Sequence, residues 1–184
     1  KNLYTAFYEP CMNMQQTLRR NIEYVGIDFY GGNNVKVEIS PSEEDTGIIF
    51  QTRQGDVKAN LENARQSLSS ILLQDKRARV IHVEHFLATL FAYGIDNAIV
   101  RLTRLPTRSF KILKALNLAT GIEVVPVSCN RELTLCRKIE EAGLQSQKKR
   151  RTYLHVESFE TEMLQFYPIE SGLVVKATTD YPQV

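Results

Sequence analysis

Residues 81–100 read IHVEHFLATLFAYGIDNAIV, and this stretch decides the fold prediction. Its apolar residues repeat with the spacing of a helix, so the stretch predicts a helix over 83–93. Gly94 follows directly, where a left-handed C-cap is expected, and a strand is predicted over 97–103. The residues that share one broad side of the predicted helix are Val83, Phe86, Leu87, Leu90 and Phe91.

The predicted helix also carries the one candidate for chemistry. His85 shares a side with the small residues Ala88, Thr89 and Ala92, which leave space for another element or for a metal and a substrate. An imidazole can ligate zinc, and Glu84 could act as a general base on a metal-bound water. The alternative is a hydrogen-bonded histidine beside an acid in the first turn, where the macrodipole favours a carboxylate. Spacing alone favours this alternative, because catalytic zinc requires about three protein ligands.

Upstream of this stretch the pattern is that of strands. Apolar residues alternate with polar ones over 34–40, at the period of two expected of a half-buried strand. Segments 22–28 and 47–52 flank it across turns and predict two more strands. Together the three predict an antiparallel meander.

The remaining segments interleave helices and strands without strict β-α-β repetition. We predict helices over 62–74, from 106–107 onward and over 131–142, and a strand over 122–127. This pattern favours an α+β fold, a layered domain of sheet and helices.

The C-terminal part predicts a second, smaller region. Residues 145–151, QSQKKRR, are polar and basic and would separate it from the main body. Three strands are predicted over 153–158, 162–167 and 173–179, which need the main body or another chain to bury a face. The predicted organisation is an N-terminal extension over 1–14, a first domain over 15–147 and a partial second domain of three strands over 152–184.

Composition excludes several classes of protein. With 43% hydrophobic and 24% charged residues among 184, the chain is neither disordered nor fibrous, and no apolar run approaches the roughly 20 residues of a transmembrane helix. Its net charge of +2 does not decide for or against nucleic acid. Three cysteines without a Cys-x-x-Cys pair suit a reducing intracellular compartment. No signal peptide is visible, and the start at Lys1 fits a cleaved organelle leader, a tag or further upstream residues equally well. We expect an organelle, the mitochondrion, or the bacterial cytoplasm.

The wording of the opening stretch is more specific than its spacing. VEHFLATL followed by GIDNAIV resembles the signature of the zinc-dependent UDP-3-O-acyl-N-acetylglucosamine deacetylases, which commit bacteria to lipid A synthesis. Further stretches that resemble the family are QQTL at 15–18, VGI at 25–27, DTGIIF at 45–50, EAGL at 141–144 and YLHV at 153–156. The resemblance implies the fold of the family's first domain, followed by part of its second-domain sheet.

The resemblance also implies site residues. Glu84 would match the family's general base and His85 one zinc ligand, while the other two ligands come from a His-Lys-x-x-x-Asp motif that this sequence does not reach. The family's Leu-His-Ser-Gly turn is replaced by FYGG at 29–32, and its Pro-Ile-Leu-Asp-Gly-Ser by PVSCNR at 126–131. A single histidine does not hold a catalytic zinc, and His82 and His155 lack the accompanying carboxylate pattern. We therefore expect no cofactor, or zinc if the chain is part of an enzyme.

A basic segment offers a different clue. No acid occurs between Asp96 and Glu123, and five basic residues recur there at steps of three or four: Arg101, Arg104, Arg108, Lys111 and Lys114. This run falls where the chain departs from the deacetylase family by what looks like an inserted helix. Residues 148–151 form a second cluster. Such runs are usually solvated faces, and the functional interpretation is docking to RNA, anionic lipid or an acidic partner. Only Phe110 lies nearby, so base stacking has little support.

These observations predict a degenerate relative of the deacetylases. It would be a non-catalytic subunit with a structural or interaction role, bound to other protein subunits in a larger assembly. The alternative is part of a zinc-dependent deacetylase, in which Glu84 and His85 are working residues. A third hypothesis is an RNA-binding subunit.

Overall fold

The structure is a computed structural model of the 184-residue chain. The residues that it describes are 14–28, 32–67, 70–105, 122–126, 134–152, 159–160 and 165–166. The chain divides after Arg151 into two compact units, Lys1–Arg151 and Thr152–Val184, and each is described by itself.

The described part of the first unit holds eleven strands and two helices. The strands are β1 (Met14–Leu18), β2 (Ile22–Ile27), β3 (Asn34–Pro41), β4 (Ile48–Thr52), β5 (Gly55–Lys58), β6 (Ala64–Gln66), β7 (Ile71–Asp75), β8 (Ala78–Ile81), β9 (Ala98–Arg104), β10 (Glu123–Val124) and β11 (Leu144–Arg150). The helices are α1 (Glu84–Ala92) and α2 (Thr134–Ala142). Mixed sheets with two helices confirm the predicted α+β class.

The main sheet has five strands in the order β2-β3-β9-β4-β5. Strand β3 is antiparallel to both β2 and β9, whereas β4 runs parallel to β9. The strands predicted over 22–28, 34–40, 47–52 and 97–103 are confirmed, but the meander is wrong beyond its first hairpin. Strand β9 takes the place beside β3 because its alternate residues, Ala98, Val100 and Leu102, bury the same face of the sheet.

The core lies against one face of this sheet. Val37, Ile39 and Phe50 are fully buried there, and the Phe50 ring lies 5.7 Å from the Phe86 ring of α1, measured between centroids. A second sheet, in the order β10-β8-β7-β6, contributes Val80 to the same cluster. Helix α2 closes the cluster with Leu135, Ile139 and Ala142. The opposite face of the main sheet is mixed, with polar residues on several strands and the exposed Val25 and Ile27 on β2.

The helix predicted over 62–74 is wrong. This segment forms β6 and β7, which pair antiparallel, and β7 pairs with β8 across a turn in which Lys76 has a φ of 49°. Leu73 is 2% exposed, whereas Ile71 is 41% exposed. The short apolar run therefore buries Leu73 alone, and the pairing of β7 with β6 and β8, not a helical stripe, fixes its structure.

Residues 145–151, which are predicted to separate the main body from the C-terminal part, are not a loop in the structure. Most of them belong to β11, which pairs antiparallel with β1, so that Leu18 lies opposite Leu144. The polar residues of β11 need no apolar partners, because the strand is held by backbone hydrogen bonds to β1 while its side chains stay largely at the surface.

Other predictions are confirmed in part or fall outside the described residues. Helix α2 lies within the predicted 131–142, and β10 is the short paired portion of the predicted strand 122–127. In the second unit, β12 (Phe159–Glu160) and β13 (Gln165–Phe166) form an antiparallel pair, and β13 lies within the predicted strand 162–167. Outside the described residues lie the predicted strands 153–158 and 173–179 and the helix from 106–107. The predicted domain boundaries remain predictions.

Candidate functional site

Helix α1 begins at a strained turn after β8. His82 has a φ of 65°, in the left-handed region that a residue with a Cβ rarely adopts, and this reverses the chain into the helix. Val83 stands at the N-cap without a side-chain cap bond and is fully buried. The His82 N–H donates to the Ile71 carbonyl of β7 at 3.2 Å. The start of the helix is thereby tied to the second sheet.

Glu84 strengthens this attachment. Its Oε2 accepts the backbone N–H of Ile71 at 3.1 Å, so both backbone groups of Ile71 bond to the start of α1. Within the described residues, Oε1 of Glu84 has no hydrogen-bond partner. A carboxylate in the first helical turn is also favoured by the macrodipole. The carboxylate is thus fixed at one oxygen and available at the other.

His85 lies next to Glu84 and is exposed. Thr89 donates its hydroxyl to the His85 carbonyl at 2.9 Å, a bond within the helix that leaves the imidazole unengaged by it. Ala88 and Ala92 are exposed as well, so the predicted face of small residues lies at the surface of the first unit. The first turn of α1 therefore presents a half-buried Glu84 and an exposed His85 at adjacent positions.

One predicted member of the apolar side is wrong. Phe91 is 85% exposed, whereas Phe86 and Leu90 are 4% and 1% exposed. Phe91 lies about 100° around the helix from Leu90, and this rotation takes it beyond the buried stripe.

The C-terminal end of α1 is built differently. Gly94 has a φ of 68°, as predicted for the C-cap, and its N–H donates to the Phe91 carbonyl at 2.9 Å. Arg151 donates through Nη2 to the Gly94 carbonyl at 2.7 Å and through Nε to both carboxylate oxygens of Asp96, at 2.9 and 3.0 Å. Asp96 Oδ2 also accepts the backbone N–H of Gln16 at 2.6 Å.

Asn97 is the centre of a buried polar network and is 1% exposed. Its Nδ2 donates to the Oε1 atoms of Gln15 and Gln147 at 2.8 and 2.7 Å, and its Oδ1 accepts the Gly47 N–H at 2.8 Å. Its carbonyl accepts the Thr17 hydroxyl at 2.6 Å. One side chain therefore joins β1, β11 and the loop before β4.

The sequence interpretation assigned no role to Asp96 or Asn97. The available signal is two adjacent polar residues between the buried Ile95 and Ala98, at the point where a strand begins. Buried polar groups are almost always hydrogen-bonded, so such a pair indicates a structural network.

A comparison with models of known protein families identifies the family of this chain. The model of the family described as UDP-3-O-acyl N-acetylglycosamine deacetylase matches residues 15–184. The chain belongs to this deacetylase family. The resemblance found in the 83–100 stretch is thereby confirmed.

Sequence identity to individual deacetylases supports this assignment. Over 132 residues the chain is 31% identical to the UDP-3-O-acyl-N-acetylglucosamine deacetylase of Helicobacter pylori, a match that covers 71% of this chain and 39% of that protein. It is 27% identical over 152 residues to the enzyme of the same name from Neisseria gonorrhoeae, covering 78% of this chain and 43% of the relative. The chain spans about two fifths of the length of the curated relatives it matches.

Zinc, which membership of the deacetylase family implies, can be tested against the residues present. Within the described ranges, no group of three or more His, Cys, Asp or Glu side chains could hold a metal ion. His85 offers one exposed imidazole, whereas His82 precedes the helix in its strained turn and His155 lies outside the described residues. The described residues therefore fit one ligand position of a zinc site and do not make a complete one.

The predicted basic segment is described only in part: Arg101 lies in the strand predicted over 97–103 and Arg104 directly follows that range, whereas the helix predicted from 106–107 lies outside the described residues. Arg101 and Arg104 lie on β9, and residues three apart on a strand point to opposite faces. Arg101 is exposed and donates to Gln51 Oε1 at 3.0 Å, whereas Arg104 is half-buried and donates to the Ile122 carbonyl at 3.3 Å. The other three predicted contact residues, Arg108, Lys111 and Lys114, lie outside the described residues. Docking of RNA or anionic lipid to this segment remains a prediction.

The second basic cluster is partly neutralised. Lys149 forms an ion pair and hydrogen bond with Asp45, which raises the pKa of the Lys149 ammonium and lowers the pKa of the Asp45 carboxyl. Glu44 Oε1 accepts the backbone N–H groups of Lys148 and Lys149. With Arg151 paired to Asp96, two of the four basic residues over 148–151 are engaged with acids of the same unit.

No helix in the described ranges is long and apolar enough to cross a membrane.

Proposed function

We propose that this chain supplies the general base and one metal ligand of a deacetylase that acts on UDP-3-O-acyl-N-acetylglucosamine in lipid A biosynthesis. The observation that carries the proposal is the first turn of α1, where the anchored carboxylate of Glu84 lies beside the exposed imidazole of His85. Membership of the deacetylase family and the names of the matched relatives support it. The remaining ligands would come from residues outside the described ranges.

The geometry suits Glu84 to general-base work. The Ile71 N–H holds Oε2 and orients the side chain, while Oε1 is available to accept a proton from an attacking water. His85 would offer its imidazole to zinc, which as a Lewis acid lowers the pKa of water and polarises a carbonyl.

The test uses the product of the complete reading frame. We expect Glu84→Gln to retain bound zinc and to lower the rate of substrate deacetylation by about 100-fold or more, the usual scale of a lost general base. His85→Ala should lower zinc content, measured by mass spectrometry, whereas the neighbouring His82→Ala should not. Unchanged deacetylation in the Glu84 variant, or no deacetylation by the wild-type product, would overturn the proposal.

A second candidate is a non-catalytic relative that serves a structural or interaction role with other protein subunits. Two substitutions in the family pattern favour it, FYGG at 29–32 and PVSCNR at 126–131, because each replaces a residue capable of chemistry. This candidate predicts a full-length product without stoichiometric zinc and with no effect of His85→Ala on metal content. The reducing compartment, mitochondrial or bacterial, remains a prediction from the cysteine pattern.

A further inference from the structure

Arg151 is the last residue of the first unit, and its side chain is held at three points. Nε contacts both oxygens of Asp96, and Nη2 contacts the Gly94 carbonyl. The Arg151 side chain is 15% exposed and that of Asp96 is 28% exposed. A charge-assisted contact to a carboxylate, shielded in this way, gives strong geometric definition.

The receiving side of this contact is itself rigid. Asp96 is fixed to β1, because its N–H donates to the Gln16 carbonyl at 2.8 Å and its carboxylate accepts the Gln16 N–H. Two features favour glycine at position 94. Its φ is left-handed, and a Cβ there would lie 3.0 Å from Arg151 Nη2. The loop after α1 is thus shaped to accept this guanidinium.

The other basic residues of this run differ from Arg151 in exposure. Within the described residues, the exposed side chains of Lys148 and Arg150 form no ion pair, and Lys149 pairs with Asp45 at the surface, where its side chain is 54% exposed. Arg151 therefore has the more shielded of the two ion pairs in this run, at the last residue of the first unit.

We propose that Arg151 is a positioning residue, which fixes the point where the chain leaves the first unit relative to the loop that ends α1. The chain then leaves the first unit at a defined place with respect to the helix that carries Glu84 and His85. This inference goes beyond the proposed function, and it applies equally to a catalytic and to a non-catalytic chain.

The test is a distance measurement between spin labels in the full chain. Labels are placed at Arg53→Cys, an exposed turn of the first unit, and at Thr152→Cys, with Cys11, Cys129 and Cys136 replaced by Ser. Pulsed electron resonance should give one narrow distance peak in this background. Arg151→Gln should abolish that single peak, and Arg151→Lys should restore it in part, because an ammonium keeps the charge but lacks the separate Nε and Nη2 donors that reach Asp96 and the Gly94 carbonyl.

Two controls separate positioning from folding. Arg150→Gln changes an identical residue type one position away and should keep the narrow peak. A second label pair within the first unit, Arg53→Cys with Phe91→Cys, should stay narrow in every variant. A narrow exit peak in Arg151→Gln, an equal loss in Arg150→Gln, or broadening of the internal pair to the same degree would each overturn the proposal.

Discussion

The two ends of helix α1 contrast in how they are held. At the start, the Glu84 carboxylate takes one backbone N–H, and His85 is exposed. At the end, the half-buried Gly94 and Asp96 and the buried Asn97 belong to a hydrogen-bond network. This network joins β1, β11 and the loop before β4. The same stretch thus contains an accessible start, where the proposed catalytic residues lie, and an end that holds neighbouring strands together. Mutations at the two ends should therefore affect activity and stability differently.

The largest expected effect comes from the architectural end. Asn97→Ala leaves three partners without their side-chain hydrogen bonds: the Gln15 and Gln147 amides and the Gly47 N–H. Because an unsatisfied buried polar group costs about 1–3 kcal/mol, we expect a loss of about 3 kcal/mol or more in the free energy of unfolding. Urea unfolding measures it, with the exposed Asn21→Ala as the control that should change stability by less than about 0.5 kcal/mol. If Asn97→Ala and Asn21→Ala lowered the free energy of unfolding equally, the Asn97 network would make no special contribution to stability.

Gly94→Ala should have the next largest effect. The left-handed φ costs about 1–2 kcal/mol for a residue with a Cβ, and the new methyl would also crowd Arg151. Gly143→Ala is a matched control, since Gly143 has a φ of 74° with nothing within 4 Å of the added Cβ. We expect Gly94→Ala to lower the unfolding midpoint in urea further than Gly143→Ala does. The excess should vanish in an Arg151→Gln background, and its persistence there would show that Arg151 is not the cause.

At the other end of the helix, Glu84→Gln should change stability little. A glutamine oxygen can still accept the Ile71 N–H, and the position is only half-buried, so we expect a change below about 1 kcal/mol. Thermal unfolding measures this. A loss in the free energy of unfolding as large as that of Asn97→Ala would show that Glu84 is needed for the stability of the fold.

The smallest effect concerns the exposed pair of Asp45 and Lys149, at the edge of the Asn97 network. Lys149 lowers the folded-state pKa of Asp45, so this contribution to stability is present above the unfolded pKa of an aspartate and is lost as the pH falls through the folded value. Lys149→Gln should therefore shift the Asp45 titration, followed by NMR, to higher pH. An unshifted titration would show that the pair does not form in solution.

Periodicity predicted the parts of the fold that depend on local pattern. Strand β3 and helix α1 each bury one face at the expected spacing, with Phe91 as the exception. The hairpin of β6 and β7 was missed because its short apolar run, Ile71 to Leu73, fits a strand or a helix, and pairing with β8 decides between them.

The residues in and around the candidate site also differ in whether the local sequence predicts them. Glu84 and His85 were predicted because they are adjacent in a distinctive sequence. The roles of Asn97 and Arg151 were not, because their partners lie 50 or more residues away. Contacts over such separations leave no periodic signal in a single sequence, and strand β11, which pairs with the distant β1, was not predicted for the same reason.

Separate roles for the two ends of α1 can be checked in one variant, the full-length Glu84→Gln product, by assaying its deacetylation of UDP-3-O-acyl-N-acetylglucosamine and its free energy of unfolding together. We expect activity to fall by about 100-fold or more while stability stays within about 1 kcal/mol of wild type. Wild-type activity in this variant, or a loss of activity that unfolding explains, would show that the two ends do not have separate roles.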